Sequence, residues 1–322
     1  MRQHKVFLRH ELLKYNSEKS TAKSSALENY ISSANLSLSG CSSAEPNSVS
    51  VGRCKFQLKK LYLQTVKKVD HLPFIYDVKF KPNPTKDSIK TMKSVLDIQD
   101  FKSIFRTENQ KKDDSIFVAS GIRKSLNFGF EEQFFVEKNF KSKETNKIII
   151  SGFDYYSLKI AENFSWKVLS EKRKIGAFDC QRAETEYGGR KWIAWFTTEI
   201  PFQDGPYVFQ GLPGLILEIK DENNNFLFTL NQIKKDSQFF DSKSNKISIN
   251  WKMMDTLRKN FYNDPYKDFK PNSAGNNFSK IKYTDENGNE IVPDFKEWTE
   301  HEQRKIRENN NPIELNHKID YK

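Results

Sequence analysis

The chain has 322 residues, of which 36% are hydrophobic, 30% charged and 13% aromatic. This length suits one large domain or two modest ones, and the 26 Phe, 12 Tyr and 5 Trp exclude a wholly disordered chain. The net charge of +11 is concentrated in residues 1–70, which hold 12 Lys or Arg against 5 Asp or Glu, whereas the rest of the chain holds 41 against 37. This nearly balanced body argues against nucleic-acid binding.

Simple counts argue against three further classes of protein. No run of 18 apolar residues is present, so the sequence predicts no transmembrane helix. The three Cys have no paired spacing, which argues against a disulfide scaffold and against a Cys-based zinc finger. We therefore expect no metal and no cofactor.

Residues 1–70 form a basic tail rich in Ser and Lys, which we predict to be mostly disordered. No secretory signal is visible in it, because charged residues interrupt its one candidate apolar run. Residues 38–41 read LSGC and match the lipobox of bacterial lipoproteins, but the preceding stretch is polar and too long, so coincidence is the better interpretation. We expect a β-rich domain over residues 71–322.

Short runs of β-branched and aromatic residues separated by polar turns follow the tail, and they predict strands. The first candidates cover residues 74–81, 89–98, 101–106, 133–140, 147–152 and 155–160. The links between them are too short for crossover connections, so the sequence favours an antiparallel sheet.

The second half of the chain begins with a hairpin signal. Gly188 and Gly189 separate the runs 177–187 and 190–197, and two adjacent glycines supply the positive φ angles of a type I′ turn. Strands are predicted at 215–220 and 226–230. Helical spacing then predicts a helix that begins after Asn250 and stops before Pro265, and a charged helix over residues 295–308.

A tight turn is predicted at Pro213 and Gly214, because Pro suits the first central position of a type II turn and Gly the second. Residues 211–216 read GLPGLI, and the chain closely resembles the GLPGLI family of Gram-negative bacteria over residues 73–317. The hexapeptide consists of Gly211, Leu212, Pro213, Gly214, Leu215 and Ile216. Residues that precede it in the family's order include Gly176, Cys180, Gly188, Gly189, Arg190, Gly205 and Pro206.

The resemblance implies an exported protein of the periplasm or cell envelope, without established catalytic residues. We predict an α+β fold: a strongly curved, half-barrel-like and mostly antiparallel sheet of about ten strands, covered by the helix that begins at Trp251. The family's likeness to lipoprotein carriers is a fold analogy.

The motif-bearing segment contains no His, and Cys180 lies on a predicted strand where a buried, inert thiol is expected. We therefore favour a non-enzymatic protein. The first hypothesis is binding of a lipid or another apolar ligand, with Trp195, Phe196, Phe209 and Leu212 near the entrance. The alternatives are a module that presents the GLPGLI loop to an envelope protein and, from another class, a hydrolase with an unrecognised site.

Overall fold

A computed structural model describes residues 71–121, 133–151, 154–234, 245–267, 270, 283–284 and 289–322. The tail predicted over residues 1–70, with its LSGC sequence, lies outside the described residues. Within the range predicted for the β-rich domain, the described residues divide into two compact units. One contains residues 71–256, 308–320 and 322, and the other contains residues 257–307 and 321.

The elements follow one another in chain order. The strands are β1 (His71–Phe80), β2 (Lys90–Gln99), β3 (Lys102–Thr107), β4 (Val136–Asn139), β5 (Glu144–Ser151), β6 (Asp154–Ile160), β7 (Lys167–Ile175), β8 (Phe178–Tyr187), β9 (Arg190–Thr197), β10 (Leu215–Asp221), β11 (Phe226–Ile233), β12 (Lys246–Ile249), β13 (Tyr283–Thr284) and β14 (Glu290–Ile291). The helices are α1 (Glu108–Ser120), α2 (Trp251–Asn263), α3 (Phe295–Glu308) and the 3₁₀ turn Leu315–His317. None of the described helices is long and apolar enough to cross a membrane.

The described strands of the first unit form one open sheet of twelve strands. Their order is β12-β6-β5-β4-β3-β2-β1-β11-β10-β9-β8-β7, so β12 and β7 are the two edges. All neighbours are antiparallel except β12 and β6, which are parallel. The predicted large, mostly antiparallel sheet with helices is confirmed. The parallel pair was not predicted, because it depends on the chain passing from β11, inside the sheet, to the edge beside β6.

The sheet buries both faces at β2 and β3. On one face Leu96 and Phe105 are paired and belong to the main aromatic core. On the other face Ile104 joins a smaller apolar cluster, and Asp97 and Arg106 are fully buried. Successive residues of each strand therefore pack into two different layers, because side chains alternate between the two faces of a sheet.

Helix α1 was not predicted, because its apolar residues do not recur on one face. Its buried contacts are ionic: Arg106 of β3 pairs with Asp114, and Lys111 Nζ lies 2.9 Å from the Asp97 carboxylate of β2. A local signal was available, since Thr107 and Gln110 form a capping box and Gly121 ends the helix in the left-handed region. Capping residues marked this helix better than hydrophobic periodicity did.

Helices α2 and α3 agree with the prediction. Asn250 caps α2 by accepting a hydrogen bond from the Met253 N–H at 2.9 Å, and the helix ends before Asp264. In its first turn, Trp251 is half-buried against the main core, and its indole stacks on the His317 ring at 3.7 Å between centroids. The predicted bounds of α3 are confirmed.

The second unit has its own small aromatic cluster. The Trp298 ring of α3 lies 5.6 Å from the Tyr266 ring and 5.7 Å from the Phe295 ring. The Gln303 side chain donates a hydrogen bond to the Tyr262 carbonyl oxygen at 2.9 Å, which joins α3 to α2 within this unit.

Candidate functional site

The motif-bearing segment begins at the β8–β9 hairpin, whose predicted two-glycine turn is confirmed. Gly188 and Gly189 have φ angles of 62° and 76°, as a type I′ turn requires. A C-terminal strap, residues 311–317, lies directly on this turn. The Leu315 N–H donates to the Gly188 carbonyl oxygen at 2.6 Å, and a Cβ on Gly188 would lie 3.0 Å from the Ile313 oxygen. Both backbone conformation and close approach therefore demand glycine here.

The next motif residue, Arg190, holds the strap by its guanidinium group. This buried group donates hydrogen bonds to the carbonyl oxygens of Ile313 at 3.0 Å and Pro312 at 2.7 Å, and to the Asn311 side chain at 2.7 Å. It also forms an ion pair with Asp221 at 3.1 Å. Arg190 therefore uses several N–H donors of its planar guanidinium group to bind one short segment. A lysine ammonium does not offer the same arrangement of donors.

Glu314 is the centre of the strap. Its carboxylate is 2% exposed and accepts hydrogen bonds from Tyr207 at 2.5 Å, Tyr187 at 2.8 Å and Lys147 at 3.0 Å. Burial by itself raises the pKa of this carboxyl. The Lys147 charge and the hydrogen bonds from Tyr207, Tyr187 and Lys147 outweigh burial and hold the pKa below its ordinary value of 4.5.

This carboxylate joins strands that are far apart in the sheet order. Lys147 belongs to β5 and Tyr187 to β8, and seven strands lie between them. In a flat sheet a separation of eight strand spacings is about 40 Å. Both side chains reach one carboxylate, so the strap and the segment before the hexapeptide link distant parts of the sheet.

A second buried ion pair supports the loop before the hexapeptide, residues 198–210. Lys138 of β4 is fully buried, pairs with Asp204 and donates to the Gly205 carbonyl oxygen at 2.7 Å. Burial lowers the pKa of Lys138, against the opposing effect of Asp204. Tyr207 lies in this loop with a φ of 54°, and its hydroxyl is the one bonded to Glu314. Lys138 and Glu314 therefore hold the loop at two points, Gly205 and Tyr207.

The turn within the hexapeptide differs from the predicted type II turn. The Gly214 N–H donates to the Leu212 carbonyl oxygen at 2.7 Å, which makes a three-residue turn centred on Pro213. The Leu215 N–H, which would close a type II turn, donates instead to the Ile200 oxygen at 3.1 Å. The predicted turn type is therefore wrong, because the Ile200 carbonyl oxygen, and not that of Leu212, accepts the hydrogen bond from Leu215.

Gly214 is required for a steric reason. A Cβ at this position would overlap the Thr197 carbonyl oxygen, and it would lie 2.7 Å from the Thr197 carbonyl carbon and 3.0 Å from the Thr198 Cα. These are backbone atoms at the end of β9, and rotation of a side chain does not move them.

The four residues predicted near a ligand entrance do not lie on one surface. Trp195 and Phe196 are neighbours on β9 and point to opposite faces, a consequence of strand alternation that the sequence already contained. Phe196 is 1% exposed, and the half-buried Trp195 ring lies under the Arg173 guanidinium at 4.2 Å.

Phe209 and Leu212 are part of the main core, with 0% and 1% exposure. The Phe209 ring lies between 4.6 and 6.5 Å from five aromatic rings, those of Phe164, Trp166, Tyr187, Trp192 and Tyr207. Core packing accounts for these side chains, and their role at a ligand entrance stays a prediction.

Cys180 lies on β8 and is buried, with its sulfur 3.7 Å from the Phe178 carbonyl oxygen. Burial raises the pKa of its thiol to about 11, although a backbone hydrogen bond and the Arg173 charge act in the opposite direction. Among the described residues, no group of three or more His, Cys, Asp or Glu side chains is placed to hold a metal ion.

We expect Cys180 to resist alkylation in the folded protein. At pH 8 a rise in pKa from 9.0 to about 11 leaves roughly 100-fold less thiolate, so iodoacetamide should modify Cys180 about 100-fold more slowly in buffer than in guanidinium chloride. Peptide mapping by mass spectrometry measures this site separately from Cys41 and Cys54. Equal rates in both solvents would show an accessible, reactive thiol.

The glycine turn, Arg190, the loop and the hexapeptide occupy one continuous stretch of the chain. This stretch, residues 188–218, matches a family model described as "Protein of unknown function (Porph_ging)". The match contains the whole GLPGLI hexapeptide, and the more specific resemblance to the GLPGLI family stays a prediction. No curated protein matches the chain.

Solved structures give distant likenesses. Two crystal forms of PNGF-II, P21 and C2, match with 16% identity, TM-scores of 0.43 and 0.44, and coverage of 59% and 60% of this chain. This chain spans about a third of PNGF-II, 33% and 32% in the two forms. A LolA superfamily protein from Nitrosomonas europaea matches with 8% identity and a TM-score of 0.23, covering 56% of this chain and 94% of that one. All three TM-scores lie below 0.5 and carry no inference about this chain.

Proposed function

We propose that this chain is a non-enzymatic protein of the cell envelope that binds another protein through the surface around the GLPGLI turn. We call this surface the motif rim; it consists of the exposed Pro201, Gln203, Gly211 and Pro213 and the half-buried Trp166. Backbone hydrogen bonds join its parts, from Gly211 to Gln203 at 3.0 Å, and the Trp166 indole donates to the Gln210 carbonyl oxygen at 2.8 Å.

The observation that carries the proposal is the set of buried contacts that hold the loop behind this rim. The buried Lys138–Asp204 pair and the Glu314 network hold this loop, while Pro201 and Pro213 are exposed and Trp166 is half-buried. A preorganised surface with an aromatic anchor loses little conformational entropy on association, which favours a protein partner. The envelope location rests on the family resemblance.

The shape of the sheet supports the same proposal. We take it to be strongly curved and half-barrel-like, with the first turn of α2 covering part of it. The shared Glu314 carboxylate supports the curvature, and the half-buried Trp251 and the buried Met254 support the place of this first turn. In such a fold the interior is filled by aromatic side chains, which favours a surface role over a carrier cavity.

The buried ionisable groups support a non-enzymatic role. Lys138 donates to carbonyl oxygens of the loop, Glu314 accepts from two tyrosines, and the pKa of Cys180 is raised rather than lowered. Each of these settings stabilises structure, whereas a catalytic nucleophile needs an activated and accessible group.

Site-specific photo-crosslinking tests the proposal. A benzoylphenylalanine at position 203, within the rim, should give a discrete crosslinked protein in bacterial envelopes, and the same probe at the exposed position 91 should not. Added wild-type protein should compete, whereas a Gln203→Arg variant with an unchanged melting temperature should not. Identical products from both positions would contradict the proposal. Bound lipid in native mass spectrometry, together with no crosslink at position 203, would favour the apolar-ligand alternative.

A further inference from the structure

Two hairpin turns lie side by side at one end of the sheet. Asp100 and Phe101 connect β2 to β3, and residues 140–143 connect β4 to β5. The Phe140 N–H donates a hydrogen bond to the Phe101 carbonyl oxygen at 2.8 Å, so the two turns form one surface. We call this surface the paired tip; it consists of residues 100–102 and 140–144.

The paired tip exposes an aromatic ring that the fold does not use. Phe101 is 62% exposed, and Phe140 beside it is half-buried. Burial of the Phe101 ring at an interface would remove its apolar area from water and so stabilise the bound state.

Basic side chains surround this ring. Lys102 at the start of β3 is exposed, as are Lys141 and Lys143 in the turn between β4 and β5. Lys159 of the adjacent β6 lies 3.1 Å from Glu144. The acids of the surface are Asp100 and Glu144. The paired tip itself therefore holds three lysines against two carboxylates, a net charge of +1, and the neighbouring Lys159 adds one more positive charge beside Glu144.

We infer that the paired tip docks on an anionic lipid membrane, with the Phe101 ring inserted at the interface and the lysines against lipid phosphates. An exposed aromatic side chain and flexible lysines suit a fluid, negatively charged surface. A protein interface instead centres its anchor in a shaped, desolvated pocket. This inference goes beyond the proposed function, because the tip and the motif rim share no residue.

A vesicle-binding measurement on the full-length protein tests the inference. The vesicles contain phosphatidylcholine with about 30 mol% of the anionic lipid phosphatidylglycerol. Phe101→Ala should lower the partition coefficient about tenfold, and Lys141→Gln with Lys143→Gln about twentyfold at low salt. Matched controls lie at the other end of β2: Ile89→Ala for the exposed apolar side chain, and Lys90→Gln with Lys93→Gln for the charge. These controls should change the partition coefficient by no more than about twofold.

A depth measurement separates the tip from the basic residues 1–70, which also attract anionic vesicles. Tryptophan placed by Phe101→Trp should shift to the blue and be quenched by brominated lipid, whereas Ile89→Trp should do neither. Equal losses from tip and control variants, no quenching at position 101, or no vesicle binding by the folded wild-type protein would each overturn the inference.

Discussion

Replacing Glu314 by glutamine should lower the free energy of unfolding by about 3 to 5 kcal/mol. The substitution keeps the shape of the side chain and removes its charge, which leaves the Lys147 ammonium, only 3% exposed, without its partner. Tyr187 and Tyr207 would also lose a charged acceptor for their hydroxyl groups. Guanidinium chloride unfolding, followed by tryptophan fluorescence, measures the change.

The matched control is Glu308→Gln, which removes one partner of an ion pair with Lys86 whose side chains are 52% and 56% exposed. An exposed pair of this kind contributes about 0 to 1 kcal/mol, so the control should unfold close to the wild type. Equal midpoints for the two variants would show that the strap does not depend on the Glu314 charge.

The effect of Glu314→Gln should also depend on pH. The folded-state pKa of Glu314 lies below the ordinary value, so between the two values the unfolded chain binds more protons and stability rises with pH. The contribution is complete above about pH 4.5 and is lost as the pH falls through the folded-state pKa. The difference between wild type and variant should therefore be constant near neutral pH and shrink below about pH 4. A difference that grows on acidification would contradict this assignment.

Gly214→Ala should destabilise the protein by at least about 3 kcal/mol, because the new methyl group overlaps backbone atoms of Thr197 and Thr198. To relieve the overlap, β9 and β10 must separate where Leu215 pairs with Thr197. Thermal and denaturant unfolding of the purified variant measure the loss, and an insoluble product would need refolding from denaturant before comparison.

Gly176→Ala isolates the backbone contribution. Gly176 has a φ of 59°, but nothing lies within 4 Å of a Cβ added there. Alanine in this conformation costs about 1 to 2 kcal/mol without any overlap. If Gly214→Ala costs no more than Gly176→Ala, the close approach of Thr197 is not what requires glycine in the hexapeptide.

Much of the local structure is encoded in short stretches of the sequence. The Gly188–Gly189 turn, the flanking strands and the bounds of α3 were predicted because each depends on residues only a few positions apart. The edge strand β7 was missed for a related reason. Most of its side chains are exposed and charged on both faces, so it lacks the alternation that marks a half-buried strand.

The site shows the limit of such reasoning. The sequence alone determined that Gly188, Gly189 and Arg190 belong to a motif, but it did not reveal what they hold. Glu314 is 127 residues from Tyr187 and 167 residues from Lys147, so no local spacing relates these residues. Only the tertiary structure brings them to one carboxylate, because burial makes each charge depend on a partner that the folded sheet, and not the neighbouring sequence, supplies.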